Sequence, residues 1–186
     1  RASALITANF RGNRTDNIEG DLRLINSTLE NSNGTLSIYD FLIRSQIIGG
    51  EPLLTLKSDF ADAEVRGLYS FDAIGRSASA MLSKIFPSRF KEQPAKKGEV
   101  HSVAAFTIDA RVKKINKLNE FLGTGMNISE GTHLTGHYWS DRPGLTAAVK
   151  SGAITYAGVR MGQMMLTGSV TGGILKVEMT ADTVLL

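Results

Sequence analysis

Apolar and polar residues take turns along most of this chain. In the stretch "LTLKSDFADAEVRGLYSF", from Leu54 to Phe71, the alternation stops once, at Ser58-Asp59-Phe60-Ala61-Asp62, and then resumes. A period of two places successive side chains on opposite faces of a strand, so each such strand shows one face to each of two environments. The same reading holds upstream. Ile6, Ala8 and Phe10 share a face against Thr7, Asn9 and Arg11. After the turn formers Gly12, Asn13 and Asp16, a second strand sends Ile18, Leu22 and Leu24 inward against Glu19, Asp21 and Arg23. Asn31-Ser32-Asn33-Gly34 reads as a hairpin turn, followed by Leu36, Ile38 and Leu42 on a third strand. A fourth begins past Gly49-Gly50-Glu51-Pro52 with Leu54 and Leu56.

Two stretches change the period. From Asp72, an N-cap residue, Ile74, Ala78, Met81, Leu82, Ile85 and Phe86 recur at steps of three and four and predict an amphipathic helix over 72–86, ended by Pro87. Residues 87–99 follow as a polar, Lys- and Glu-rich stretch read as a mobile loop. Alternation returns over 101–113 with Ala104, Phe106 and Ile108 inward, and a short second helix uses Ile115, Leu118, Phe121 and Leu122 before stopping at Gly123. Five more strands are marked by Leu134/Tyr138, Leu145/Val149, Ile154/Tyr156, Leu166/Val170 and Leu175/Val177/Met179, with cuts at Gly144, Gly152, Gly158 and Gly172-Gly173. The sum is about ten or eleven strands and two helices with no alternation of strand and helix, joined by short connections. The fold expected is mainly β: an elongated, curved antiparallel meander, taco- or groove-like, with one amphipathic and one short helix. The whole of 1–186 forms a single segment, its strand blocks 1–71 and 100–186 separated by the inserted helix and loop. Such a meander covers its apolar side by stacking on a second sheet, by closing into a barrel, or by holding something apolar.

Composition narrows the chemistry. The 186 residues are 42% hydrophobic and 21% charged, ordinary globular usage. No apolar run approaches the ~20 residues of a membrane-spanning helix. The chain opens at Arg1 in mid-pattern and is read as an internal piece of a longer protein. With no cysteine, disulfides, thiolate metal sites and cysteine nucleophiles are excluded. The net charge of +3 comes from cations scattered among nearly as many acids; only Arg89, Lys91, Lys96 and Lys97 cluster, with Glu92 and Glu99 among them, as in a solvated loop rather than a nucleic-acid surface.

Candidate chemistry is sparse, and the chain is read as a non-enzyme without cofactor. His133 and His137 would share a metal on a helix, but the alternation Leu134, Gly136, Tyr138 makes the segment a strand, where they stand about 13 Å apart. Gly123-Thr124-Gly125 lacks the rest of a dinucleotide fingerprint, and no Gly-x-Ser-x-Gly element occurs. A Ca²⁺ site from Asp59, Asp62 and Glu64 would be short of the six to eight oxygens that ion takes. The Asn-x-Ser/Thr sequons at Asn13, Asn26, Asn33 and Asn127 are read as turn chemistry.

The order of elements resembles a known family. "LTLKSDFADAEVRGLYSF", the paired strands "NIEGDLRLINSTLEN" and "TLSIYDFLI", the helix after Phe71, "INKLNEFLGTGMNISEGTHLTGHYW" and "GAITYAGVRMGQMMLTGSV" are together similar to an internal fragment of the TamB-like proteins of the Bacteroidota, translocation and assembly modules within the AsmA-like family. The resemblance implies a segment of a periplasm-spanning protein anchored in the inner membrane. Its apolar groove would carry phospholipid acyl chains between inner and outer membrane and support outer-membrane assembly, with an outer-membrane barrel insertase as a partner of other parts of the full-length chain. It also implies that the acidic step at Asp59 and Asp62 turns the chain so that Phe60, Val65, Tyr69 and Phe71 stay on one side. The groove lining expected is then Ile6, Phe10, Ile18, Leu22, Leu24, Leu36 and Ile38 from the first strands, and Leu54, Leu56, Val65, Tyr69, Phe71, Phe106 and Ile108 from the later ones. Ile74, Ala78, Met81, Leu82, Ile85 and Phe86 would cap or plug it. Two alternatives remain open at this level: a closed β-sandwich serving as a structural or adhesive module of a secreted or cell-surface protein, and a sheet whose edges accept unfolded outer-membrane strands.

Overall fold

The structure, a computed structural model, describes residues 2–11, 19–69, 104–140, 144–172 and 174–185. Twelve strands and one helix occur among them: β1 (Ala2–Arg11), β2 (Glu19–Asn31), β3 (Gly34–Ile48), β4 (Glu51–Ser58), β5 (Ala61–Leu68), β6 (Ala105–Val112), α1 (Asn116–Leu122), β7 (Met126–Ile128), β8 (His133–Trp139), β9 (Gly144–Tyr156), β10 (Val159–Thr171), β11 (Ile174–Thr180) and β12 (Thr183–Leu185). They form one antiparallel sheet in the order β1-β2-β3-β4-β5-β6-β8-β9-β10-β11, with β7 beside β9 and β12 beside β10. The sheet is open and does not close into a barrel. This is the antiparallel meander expected from period two and short connections. The predicted helix 72–86, the loop 87–99 with its basic cluster, and Asn13, Ile18 and Phe71 lie outside the described residues.

A line of irregularities crosses the sheet from β2 to β12. Asn26 in β2 has φ 47°. Opposite it, the backbone N–H groups of Tyr39 and Asp40 in β3 both donate to Asp59 Oδ2, at 2.6 and 3.2 Å. Both strands advance two residues here, from Ile25↔Asp40 to Ser27↔Ile38, so Asn26 and Tyr39 form a paired break in the ladder with no extra residue on either strand. The line continues through Asp59-Phe60 between β4 and β5, through Lys113, whose N–H donates to the Phe60 carbonyl, and through Thr132, whose carbonyl takes the Val112 N–H. It passes between the Ser151/Met164 and Ala153/Gly162 pairs of β9 and β10, where Gln163 has φ 41°, and ends at Asp182, which splits β11 from β12. We call it the crease. Each long strand changes the parity of its inward residues there: Leu22 and Leu24 give way to Ser27 and Leu29, and Leu36 and Ile38 to Phe41 and Ile43.

Past the crease β4, β5 and β6 are missing, and α1 fills their place. Its Leu118 and Phe121, with Ile115 at the cap, pack on Leu36, Ile38 and Phe60. Gly123 ends the helix in the left-handed conformation (φ 63°, ψ 32°), which costs glycine nothing. The β2–β3 hairpin closes the same corner. Its two-residue turn is Ser32-Asn33, and the side-chain amides of Asn31 and Asn33 each donate to the Phe121 carbonyl at 2.9 Å. That satisfies a helix-end carbonyl that has no partner within the helix. Leu122, predicted to face inward, is exposed.

Two of the described strands, β3 and β9, differ from expectation in a way the crease explains. Leu42 stands opposite Arg23 and Lys57 on the polar face, because the break at Asn26 and Tyr39 has already shifted the parity, and Phe41 and Ile43 take the inward positions. Gly152 does not end a strand: Leu145/Val149 and Ile154/Tyr156 belong to one strand, β9, that runs through the crease.

Candidate functional site

The register of the sheet turns individual alternation into continuous rows. One row runs Ala8, Leu22, Ile43, Leu56, Ala63, Ala110, Leu134, Val149, Leu166 and Met179, each directly opposite the next, from β1 to β11. Every member is apolar. A neighbouring row on the same face runs from Ser45 through Leu54, Val65, Ile108, Gly136, Ala147 and Gly168 to Val177. Between them on the other face lies a polar row: Asn9, Asp21, Arg44, Thr55, Glu64, Asp109, Thr135, Ala148, Thr167 and Glu178. At about 4.8 Å per strand, the ten-residue apolar row extends roughly 43 Å across the sheet.

Burial along this face is uneven. Phe106 (1% exposed), Val65, Tyr69 and Ala104 form one closed cluster, with Leu54, Ile108 and Tyr138 against it; the Phe106 and Tyr138 rings lie 5.1 Å apart, tilted by 33°. Leu36 (2%) and Ile38 lie in the second cluster, covered by α1. Leu22, Leu24 and Leu56 are half-buried. Ile6, on the edge strand, is 59% exposed, and of the Phe10 side chain nothing is described. The predicted lining therefore comes together on one face, but it divides into two closed clusters and an open strip. The six proposed capping residues of 72–86 and the lining residues Ile18 and Phe71 lie outside the described residues.

The polar groups on or near this face are matched within the chain, with one exception in α1. Ser45 and Tyr69 share a buried hydroxyl pair at 2.9 Å. Burial pushes the Tyr69 phenol above its usual value, and the Ser45 hydrogen bond offsets part of that. Ser58 Oγ receives the N–H groups of Phe60 and Ala61 and donates to the Ala61 carbonyl. At the crease Thr132 and Ser151 join hydroxyls at 2.6 Å, with Ser129 beside both. Asn119 Nδ2 in α1 is buried without a partner.

The acidic step has a structural use. Asp59 receives the two β3 N–H groups, and Asp62 pairs with Lys113 Nζ at 2.6 Å, whose ammonium also reaches the Ser58 carbonyl at 3.1 Å. These bonds tie β3, the β4–β5 connection and the end of β6 together at the crease. His133 and His137 both lie in β8 and face the polar side; His133 Nε2 meets Asp109 Oδ2 at 2.8 Å, and His137 packs edge-on to Trp139 at 5.2 Å. No grouping of three or more His, Asp or Glu side chains suited to a metal occurs among the described residues. A sequence reading of single strands missed the crease; its signal was the odd spacing of inward residues, Ile38 to Phe41 and Met161 to Met164.

Fold and face together define an open antiparallel sheet with one apolar and one charged side. No family model, characterised protein or solved structure matches the chain.

Proposed function

We propose that the apolar face is a lipid-carrying trough, and that the chain is a segment of a periplasmic, envelope-spanning protein of the TamB-like, AsmA-like kind. The observation that carries this reading is the apolar row that crosses every strand of the path without a polar interruption, from Ala8 to Met179. A contiguous apolar surface much beyond a few hundred Å² is covered or used. An acyl chain lying along the rows gains about 0.8 kcal/mol per CH₂ removed from water and requires no catalytic group. The occupant is a phospholipid acyl chain, moved by sheltering and not by reaction, so the segment works without cofactor. Anchoring in the inner membrane and engagement of an outer-membrane barrel insertase belong, in this reading, to other parts of a longer chain. A β-sandwich would split the rows between two stacked sheets; one unbroken hydrogen-bonded order favours the trough.

The test is a native mass spectrum of the 186-residue chain after incubation with phosphatidylethanolamine and phosphatidylglycerol. Retained phospholipid, reduced by charged substitutions on the open strip, is the expected result. A spectrum of lipid-free protein at all lipid concentrations removes the reading.

A further inference from the structure

The polar face carries a feature that the trough does not use. Two adjacent rows cross β8–β11 there: Thr135, Ala148, Thr167 and Glu178 in one, and His137, Thr146, Ser169 and Lys176 in the next. Over β8–β10 their side chains are short apart from His137, and the rows enclose an open depression of about 510 Å³, floored by the backbone of Gly136, Ala147 and Gly168. The hydroxyls of Thr135, Thr146, Thr167 and Ser169 line it, and none has a hydrogen-bond partner among the described residues. Each can both donate and accept. The two charged groups in the lining, Lys176 and Glu178, are paired with each other at 2.9 Å. The depression is therefore polar without a net charge.

An aromatic surface adjoins the depression. Trp139 and Gly144 are the next pair along β8 and β9 on this face after His137 and Thr146. Where a Cβ on Gly144 would stand, the indole Cε2, Cζ2 and Nε1 atoms of Trp139 already are, so the ring lies down across β9, with His137 edge-on to it at 5.2 Å. The indole is half-buried and keeps part of its surface open. From one pair to the next is two residues, about 7 Å, so a ligand a few rings long reaches both the indole and the hydroxyls. A pyranose has the same division of surface: C–H groups on its ring faces, which pack on an aromatic face, and hydroxyls around its rim, which donate and accept. An anion would find no uncommitted cation in the lining, and an apolar ligand would strip water from four hydroxyls without replacing their hydrogen bonds. We propose that this part of the polar face binds a neutral saccharide chain, one ring on Trp139 and the next over the hydroxyls. The site lies on a face, so it depends neither on what adjoins the sheet edges nor on what the apolar face carries.

Trp139 is the only tryptophan in the chain, so its emission reports on the site directly. Fluorescence titration of the 186-residue chain with chitotetraose, cellotetraose and maltotetraose tests the proposal. At least one of these sugars is expected to give a saturable change with a dissociation constant on the order of millimolar, as suits an open site whose ligand stays partly in water. Thr146→Val and Thr167→Val keep a β-branched side chain and the wild-type melting temperature, and each weakens binding roughly three- to tenfold, the worth of one lost hydrogen bond. Gly144→Ala, which must lift the indole off β9, abolishes the response. Thr55→Val, on the same face but outside the depression, leaves it unchanged. No saturable response to any of the sugars, wild-type affinity in both depression variants, or an equal loss in Thr55→Val overturns the proposal.

Discussion

Leu36 and Leu22 were both expected to line the same groove, and the structure separates them sharply enough for one pair of substitutions to test the distinction. Leu36 is 2% exposed and sealed by Ile38, Phe60 and the helix residues Leu118 and Phe121. Leu22 is half-buried on the open strip between Ala8 and Ile43. In Leu36→Asp, deletion of a core leucine costs about 2–5 kcal/mol. An unpaired carboxyl in an apolar site adds at least another 1–3 kcal/mol even if it neutralises by taking up a proton. The sum reaches the order of the whole stability of a domain, about 5–15 kcal/mol. In Leu22→Asp the new carboxylate reaches water. The loss is then part of the 1.5–3 kcal/mol of full leucine burial, about 1–2 kcal/mol. Urea unfolding followed by circular dichroism at neutral pH measures both. The L22D chain is expected to remain folded, with a slightly lower midpoint and an unchanged slope; the L36D chain is expected to lack a folded baseline. Equal unfolding of both variants would refute the reasoning, because position 22 would then be as closed as position 36.

Two further outcomes follow from the closed cluster around Phe106. The raised phenol of Tyr69 means that the unfolded chain ionises first as pH climbs past the usual 10.0, so its contribution to stability is fully present below that value and falls away above it. Tyr69→Phe should lessen that alkaline decline and, by leaving buried Ser45 without its hydroxyl partner, lower stability at neutral pH by about 1 kcal/mol in a denaturant titration. Gly67 sits at φ 115°, and a Cβ there would come within 2.5 Å of the Ala105 carbonyl oxygen. Gly67→Ala is therefore expected to cost about 1–3 kcal/mol, read as a lowered urea midpoint, and a neutral result would contradict the close β5–β6 approach.

Period two carried most of the fold, because antiparallel strands joined by short turns write their inward faces directly into sequence. Leu54 and Leu56, Phe106 and Ile108, and the short helix from Ile115 to its stop at Gly123 lie where alternation and helical spacing put them. The crease was harder to read. It depends on partners distant in sequence: the Asp59 carboxylate holds the N–H groups of Tyr39 and Asp40, and Lys113 holds Asp62 and Ser58. A local pattern shows only its shadow, an apolar spacing of three where two was due, and Leu42 was accordingly placed on the wrong face. The division of the lining was not legible for a related reason: what closes over Leu36 and Ile38 is Leu118 and Phe121, about eighty residues further along the chain. The alternation identifies an inward face, but it does not say what stands above it.

The central claim is that acyl chains lie along one face of this sheet and not the other. Photo-crosslinking resolves the two faces in a single experiment: a benzophenone amino acid is placed at Leu22, Leu56 or Val149 in the apolar row, and at Thr55, Glu64 or Thr135 in the polar row, and crosslinked phospholipid is measured by mass spectrometry after exposure in lipid vesicles. The trough predicts lipid adducts at the first three positions and background at the other three. Equal labelling of both faces, or none on the apolar row, would contradict it.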